Sequence, residues 1–250
     1  MILYPSLFIE NCPSTNGTLK TILENKTLKD NILKDYFFIY TNYQSAGRGM
    51  ATNCWESENN KNILASFLFF PSTTPKQQFY FNQFFALSIQ KTIASYLPQA
   101  QIKWPNDIYI NKKKIAGILI EHSLNSQTIT HTIAGVGINI NQTNFSANIP
   151  NPTSLTIETQ QHFEIDTILN QIIDNQHILY PILQSNNFNQ LHQLYLEKLL
   201  NLDIWAHYEI CQQPIYAKII GIDTYGRLQL IDKKNHTYTC QFKEIKYIFE

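Results

Sequence analysis

Residues 75–97 carry apolar and small side chains at a helical spacing: Phe81, Phe84, Phe85, Ser88, Ile89, Thr92, Ile93 and Tyr96 share one face, and Pro98 ends the run. The stretch after this helix constrains the fold most. Three strand-like runs, 108–111, 115–122 and 128–139, succeed one another with no helix between them, and Lys112 and Lys113 make a polar turn between the first two. Strands and helices that do not alternate argue against a doubly wound arrangement and for an α+β fold built on a mixed β-sheet.

Upstream, residues 14–25 read as a short helix behind a Ser or Thr cap, with Leu19, Ile22 and Leu23 on one face. Residues 36–43 read as a strand, 44–60 as a long glycine-punctuated loop, and 62–70 as a buried strand. Beyond a loop holding Pro150 and Pro152, residues 165–184 and 188–200 read as helices. From Trp205 the pattern changes to short strands at 215–222, 226–231, 237–242 and 245–249, with Asp223, Gly226 and Lys233-Lys234-Asn235 in the turns. A β-barrel-like module of about 45 residues is too small to be very stable alone and is expected to pack on the first domain.

Composition narrows the function. The chain has 250 residues, 44% hydrophobic, with 19 basic and 19 acidic side chains. That describes a soluble globular protein with a real core and argues against a nucleic-acid binder, which usually carries a basic excess. Cys12, Cys54, Cys211 and Cys240 form no C-x-x-C pair, so free thiols in a reducing cytoplasm are expected rather than zinc or a disulfide framework. The first residues lack a signal-peptide pattern. The longest apolar run, 63–70, is interrupted by Ser66 and stops at Pro71, far short of a membrane span. A cytoplasmic location is the resulting expectation.

Chemistry concentrates in a few segments. Gly47 and Gly49 let the backbone approach an anion, Arg48 between them offers a fork of donors, and Trp55 is suited to stacking on a flat ring. In Lys103-Trp104-Pro105-Asn106-Asp107, the proline makes a rigid bend that positions side chains. Lys114 stands at the entrance of an apolar strand that runs through Gly117 to Glu121. Gly135 and Gly137 lie inside a strand, where glycine marks close approach of a ligand or another backbone. Each segment also has a bland reading: a surface turn, a self-satisfied bend, a solvated lysine. No P-loop, dinucleotide fingerprint, H-E-x-x-H or G-x-S-x-G is present. His122 and His131 read as ordinary strand residues.

In order, Ser14-Thr15-Asn16, Gln44 through Gly49 with Trp55, Lys103 through Asp107, Lys114 through Glu121, and Gly135 through Asn139 resemble the motifs of biotin–protein ligases (holocarboxylase synthetases). The resemblance is close over residues 8–145. It implies a class II synthetase-like catalytic fold over 1–204 that binds biotin and ATP, followed by a small C-terminal SH3-like β-barrel over 205–250. It implies that the biotin carboxylate attacks the α-phosphate of ATP, giving biotinyl-5′-AMP and pyrophosphate. A lysine amine of a carrier protein, the biotinyl domain of a biotin-dependent carboxylase, then takes the acyl group. Carried over by position, Ser14, Thr15, Asn16, Gln44, Gly47, Arg48, Lys114 and Gly117 would line the biotin site. Gly49, Trp55, Asn106 and Asn139 would surround the adenylate. Arg48, Lys103 and Lys114, with Mg²⁺, would neutralise the developing charge. Asp107 would hold the cation or orient a lysine, and the loop at 44–56 would shield the intermediate from water.

The chain departs from the family at Met50 and Asn53, where many members carry basic residues, so backbone amides would do more of the phosphate binding. It starts directly at the catalytic-type segment, and with zero net charge no DNA binding is expected. Among assemblies, the resemblance carries a homodimer, since some members pair sheets edge to edge. The rival readings are a lipoate–protein ligase or octanoyl transferase, which shares the catalytic fold, and a non-catalytic biotin binder. The Gly-Arg-Gly loop with its tryptophan, the Gly-Ile-Asn segment and the C-terminal module favour the biotin branch over the first. Arg48 and Lys114 argue against the second.

Overall fold

A computed structural model describes residues 1–26, 28, 32–50 and 53–249. Residues 51 and 52 of the expected shielding loop lie outside the described residues.

The elements run β1 (Ser6–Cys12), α1 (Thr15–Glu24), β2 (Phe38–Gln44), β3 (Ile63–Phe69), a 3-10 turn (Pro75–Gln77), α2 (Gln78–Ala94), β4 (Ala100–Lys103), β5 (Asp107–Ile110), β6 (Lys113–Leu124), β7 (Ile129–Ile138), α3 (Leu155–Thr159), α4 (Ile165–Gln184) and α5 (Phe188–Leu196). The chain ends with β8 (Trp205–Ile210), β9 (Gln213–Ile222), β10 (Leu228–Asp232), β11 (Thr237–Cys240) and β12 (Ile245–Tyr247). The first seven strands form one mixed sheet, ordered β1-β2-β3-β7-β6-β5-β4. Only its β1–β2 pair is parallel. The last five make an antiparallel sheet ordered β11-β10-β9-β8-β12, the SH3-like part of the fold.

Strand alternation sorts the mixed sheet into two faces. Ala65, Phe67 and Phe69 of β3, Ala116 and Ile118 of β6, and Ala134, Val136 and Ile138 of β7 join one large core with α2, α4 and α5. Leu68 and Ile133 belong to a smaller core under α1 with Leu19, Phe37 and Ile39. The sequence marks an apolar stripe on α2, but the helix is buried almost all round, because the sheet covers one side and α4 and α5 the other. Two of its polar side chains are satisfied internally: Gln90 Nε2 donates to Ala100 O, and Thr92 Oγ1 to Ser88 O. A capping box between Thr74 and Gln77, with Pro75 at the first position, sets the start of this helical stretch.

The C-terminal sheet does not have a core of its own. Tyr208, Ile219, Leu228 and Leu230 belong to the same buried cluster as α2 and β4. Its β9–β10 turn is docked by Trp104, whose Nε1 donates to Gly226 O at 3.0 Å. Gly226 has φ +83°, and an added Cβ would lie 2.4 Å from the Phe79 ring. β1, β4, β8 and α3 have no counterpart among the elements expected from sequence. Among the described residues, no helix is long and apolar enough to cross a membrane.

Candidate active site

The α1 face of the mixed sheet is where the motifs meet. The register that places Ala116, Ala134 and Val136 toward α2 sends Gly117, Gly135 and Gly137 to the opposite face, with Gly117 paired to Gly137 and Leu119 to Gly135. Three glycines there leave a floor without side chains, and residues from distant segments rest on it. An added Cβ would stand 2.3 Å from the Trp55 ring at Gly137, 2.9 Å from it at Gly117, and 2.2 Å from Asn16 Oδ1 at Gly135. The close approach expected at Gly135 and Gly137 is made here by the side chains of Asn16 and Trp55, and Gly117, where none was expected, also lies under Trp55.

Trp55 is delivered by a small hairpin. Trp55 N donates to Gly47 O at 3.0 Å and Gly49 N to Asn53 O at 2.7 Å, with Arg48 bridged to Cys54 between them. Gly47 is required for this packing: its Cβ would meet Trp55 O at 2.3 Å. Met50 and Asn53 occupy the turn of the hairpin, where Asn53 N donates to Met50 O.

A chain of hydrogen bonds connects the base of this loop to its arginine. Thr15 N donates to Gln44 Oε1 at 2.7 Å, and Thr15 Oγ1 lies 2.7 Å from Ser66 Oγ. Ser66 Oγ in turn donates to Asn16 Oδ1 at 2.6 Å. Asn16 Nδ2 donates to Glu121 Oε2 at 2.7 Å, and Arg48 Nη2 donates to Glu121 Oε1 at 3.1 Å. Ser66 and Glu121 complete this circuit and were not among the candidates. A lone serine in the otherwise apolar β3, at a position facing α1, is the sequence signal that marks Ser66.

The second group comes from the proline bend. Trp104–Pro105 is a cis peptide. Tyr195 Oη donates to Pro105 O at 2.6 Å, and Asn106 Nδ2 to Ile118 O at 3.1 Å. Asp107, paired in register with Lys103, holds Lys114 Nζ at 2.8 Å. Lys114 is anchored by its backbone to the 150s loop, its N–H donating to Asn151 O and its carbonyl accepting from Thr153 N. Its ammonium lies 5.8 Å from the Trp55 ring centroid.

Two cavities open on either side of Trp55. An inner slot of about 110 Å³ is lined by Ser14, Thr15, Asn16, Gln44, Arg48, Gly49, Met50, Asn106, Gly117, Gly135, Gly137 and Phe242, among others. An outer cavity of about 500 Å³, large enough for a nucleotide-sized ligand, is lined by Tyr109, Asn139, Phe145, Asn148 and the prolines at 150 and 152. Asn53, Cys54, Trp55, Asp107 and Lys114 line both. Two polar atoms here, Trp55 Nε1 and Asn139 Oδ1, are buried without a hydrogen-bond partner in the described structure. Asn139 Nδ2 is engaged, donating to Thr153 O at 2.9 Å.

Not every candidate sits on these walls. Gly47 lines a shallower groove on the outer side of the loop. Gly49 and Asn106, expected beside an adenylate, line the inner slot. Lys103 lines neither cavity: its ammonium lies 4.9 Å from the Tyr247 ring centroid and 5.4 Å from that of Tyr109. Burial, and secondarily repulsion from Lys114, lower its pKa against the opposing pull of Asp107. Of the two roles expected of Asp107, holding a cation or orienting a lysine, the pair with Lys114 corresponds to the second. Phe242, from the turn between β11 and β12, lines the slot without any sequence signal.

The profile of the Biotin/lipoate A/B protein ligase family matches residues 10–139, which contain all of these motifs. The "Bifunctional ligase/repressor BirA" of Bacillus spizizenii is 27% identical over 86% of this chain, a match spanning 66% of that protein's length. The "Biotin--protein ligase" of Schizosaccharomyces pombe is 28% identical over 69% of this chain and 29% of its own. Thus the chain matches less than two thirds of the length of these relatives. In fold, the biotin protein ligase of Aquifex aeolicus in complex with biotin and ATP superposes with a TM-score of 0.77 at 20% identity, covering 97% of this chain and 99% of the other. With its profile match extending over more than half of the sequence, the chain belongs to the biotin/lipoate A/B protein ligase family.

Proposed function

We propose that the chain is an ATP-dependent biotin–protein ligase that forms biotinyl-5′-AMP and passes the biotinyl group to a lysine of a carrier biotinyl domain. The observation that carries this reading is the wall common to both cavities. Lys114, Asp107 and Trp55 stand where a ligand in the slot would meet a nucleotide in the outer cavity. A carboxylate reaching that wall from the slot would attack the α-phosphorus, and pyrophosphate would leave through the outer cavity. Lys114 would offset the charge that accumulates on the phosphoryl oxygens.

In the slot, the Ser14, Thr15, Asn16 and Gln44 group would hold the polar ring system of biotin, with Gly117 forming the floor and Arg48 facing the carboxylate. In the outer cavity, Trp55 would stack on the base, and the unpartnered Asn139 Oδ1 would accept a hydrogen bond from an exocyclic amine. Gly49 and Asn106 would close the slot at its junction with the adenylate. Lys103 would act at longer range, through its repulsion of Lys114 and attraction to Asp107. Mg²⁺ would arrive with the triphosphate, as is usual for this ion. We further propose that residues 1–204 carry both ligand sites and that 205–250 serve as the smaller module packed on them. The relatives, a biotin–protein ligase and a bifunctional ligase/repressor, support the biotin branch over the lipoate branch.

The test is transfer of labelled biotin, in parallel with labelled lipoate, to a purified apo biotinyl domain with MgATP. Transfer of biotin alone is expected. Transfer of lipoate would move the chain to the sister branch, and tight biotin binding with no pyrophosphate release would make it a passive binder.

A further inference from the structure

Phe242 is out of place on general grounds. It is a large apolar side chain, 40% exposed, in a turn of the C-terminal sheet, yet it lines a slot otherwise made mostly of polar groups and glycines. The turn that carries it is tightly fixed. Gln241 N donates to Glu244 Oε2 at 2.7 Å, and Cys211 N donates to Glu244 O at 3.0 Å. Lys243, next in sequence, has φ +78°, a left-handed conformation that a non-glycine residue holds only when its surroundings impose it. The Phe242 ring lies 6.3 Å, centroid to centroid, from Trp104 in the proline bend, and Trp104 is itself clamped to Gly226 of the same sheet. Two turns of the C-terminal sheet are therefore tied to the segment that carries Asp107. One of them presents a half-exposed aromatic ring in the lining of the slot.

Met50 also lines this slot. Of the apolar side chains in the lining, which also include Trp55, Ile118, Leu119 and Val136, Met50 and Phe242 are partly exposed and come from turns, and they share the slot with Asp107 and Lys114. Apolar, partly exposed side chains of this kind do not suit a polar ring system or a phosphate, and biotin's own aliphatic chain runs inward from its carboxylate to the ring in the slot. They suit the aliphatic stem of a lysine, four methylenes long and ending in an amine that must reach the acyl carbon beside Lys114.

We infer that Phe242 is a specificity-determining residue for the second half-reaction: with Met50 it forms an apolar rim that packs against the methylene stem of the acceptor lysine. The inference rests on the ligase reading above. In the step it serves, the neutral ε-amine nitrogen bonds to the biotinyl carbonyl carbon, the bond from that carbon to the phosphate oxygen breaks, AMP leaves with the oxygen, and the amine's surplus proton passes to solvent. Phe242 touches only the stem and takes no proton.

The experiment uses the full chain and separates the half-reactions. Pyrophosphate release with biotin and MgATP reports adenylation. Label transfer to an apo biotinyl domain reports acylation of a lysine, and transfer to hydroxylamine reports acylation of an amine that has no stem. F242A should lower kcat/KM for the biotinyl domain about tenfold, the scale of one or two methylenes in an apolar pocket. Adenylation and hydroxylamine acylation should stay at the wild-type level, and F242L should retain most of the transfer. Equal transfer by F242A and wild type would overturn the inference. So would a parallel loss toward hydroxylamine, which would make the ring a shield of the intermediate, or a loss of pyrophosphate release, which would place it against the first substrates. If F242A does not fold, F242L and F242S decide by the same ratios. Absence of pyrophosphate release in the wild type would instead remove the ligase reading, and this inference with it.

Discussion

Gly137→Ala is the sharpest perturbation the site allows, because the added methyl has one obstacle. Its Cβ would lie 2.3, 2.6 and 2.8 Å from Cε2, Nε1 and Cδ2 of Trp55. Carbon–carbon contact is comfortable near about 3.5 Å, so the ring must retreat by roughly 1 Å or more. The strand cannot yield instead, since Gly137 is paired on one side with Leu64 and on the other with Gly117. Forcing a methyl into a packed site costs about 1–3 kcal/mol, and here the obstacle is a single ring carried by a loop hairpin rather than by the sheet. The loss of global stability should therefore stay near the lower end, about 1 kcal/mol, while the wall between the cavities is dismantled. Under the proposed reading, KM for ATP in pyrophosphate release should rise about tenfold or more, with iodide quenching of tryptophan emission increased. Trp55→Ala removes the obstacle, so the double variant should show almost no further effect of Gly137→Ala, giving a coupling close to the whole penalty. An equal penalty of Gly137→Ala in both backgrounds, in urea midpoint or in KM, would refute the assignment of the glycine floor to Trp55.

The same geometry sets other outcomes. Lys114→Ala should lower the adenylation rate about 10²- to 10³-fold while altering biotin binding far less, because its charge matters most where negative charge accumulates; a matching loss of biotin affinity with unchanged turnover would count against it. Burial lowers the His122 pKa from 6.5 to about 4. The unfolded chain therefore takes up the proton first, so the contribution is complete above about pH 6.5 and is lost as pH falls toward 4, at up to about 1.4 kcal/mol per unit. Partial solvent access should reduce the total to about 1–2 kcal/mol, seen as a shallower fall of the urea midpoint between pH 7 and 4.5 in His122→Gln; identical slopes would exclude it. Trp104→Phe strands the Gly226 carbonyl and should cost about 1–3 kcal/mol in a urea melt, with earlier proteolysis of the C-terminal sheet than of the rest.

The parts of this structure legible in sequence are those governed by neighbours along the chain. The period of 165–184 coincides with α4, and the runs over 108–111, 115–122 and 128–139 coincide with β5, β6 and β7. β1 escaped because it is an edge strand with a single, parallel neighbour, so its residues alternate only weakly between buried and exposed. The apolar face on α2 was readable, but its full burial depends on α4 and α5, which arrive some 80 residues later and leave no polar stripe. For the site, glycines at 135 and 137 announced a close approach without identifying what approaches, and Gly117 was not read that way. The answers, Trp55 and Asn16, are set by the register of β6 and β7 and by the path of α1. Glu121 was visible as part of a motif, but its role as the shared acceptor for Arg48 and Asn16 is a product of tertiary contact. Phe242 had no local signature, since its neighbours are brought to it by the docking of an entire sheet.

The arrangement of charge explains how such a site tolerates three cations before any substrate arrives. Arg48 rests on Glu121 and Lys114 on Asp107, while Lys103 lies over the rings of Tyr109 and Tyr247. Unpaired, these groups would repel one another and resist partial burial; two like charges 4 Å apart cost about 4 kcal/mol at an effective dielectric of 20. The pairing has a catalytic consequence under the proposed reading. A bound carboxylate gains little from a lysine that already holds Asp107, because one carboxylate only replaces or shares with another. A phosphorus under attack concentrates more negative charge in the same place, and there Lys114 gains more than it gives up. The ion pair therefore lowers the affinity of the site for the ground state more than for the transition state, which is the direction that raises turnover. Asp107→Asn is the corresponding perturbation: it leaves the side-chain shape while freeing the charge of Lys114 for the ground state. It should tighten biotin binding and slow adenylation together, an opposite movement of two readouts that a merely structural aspartate would not produce.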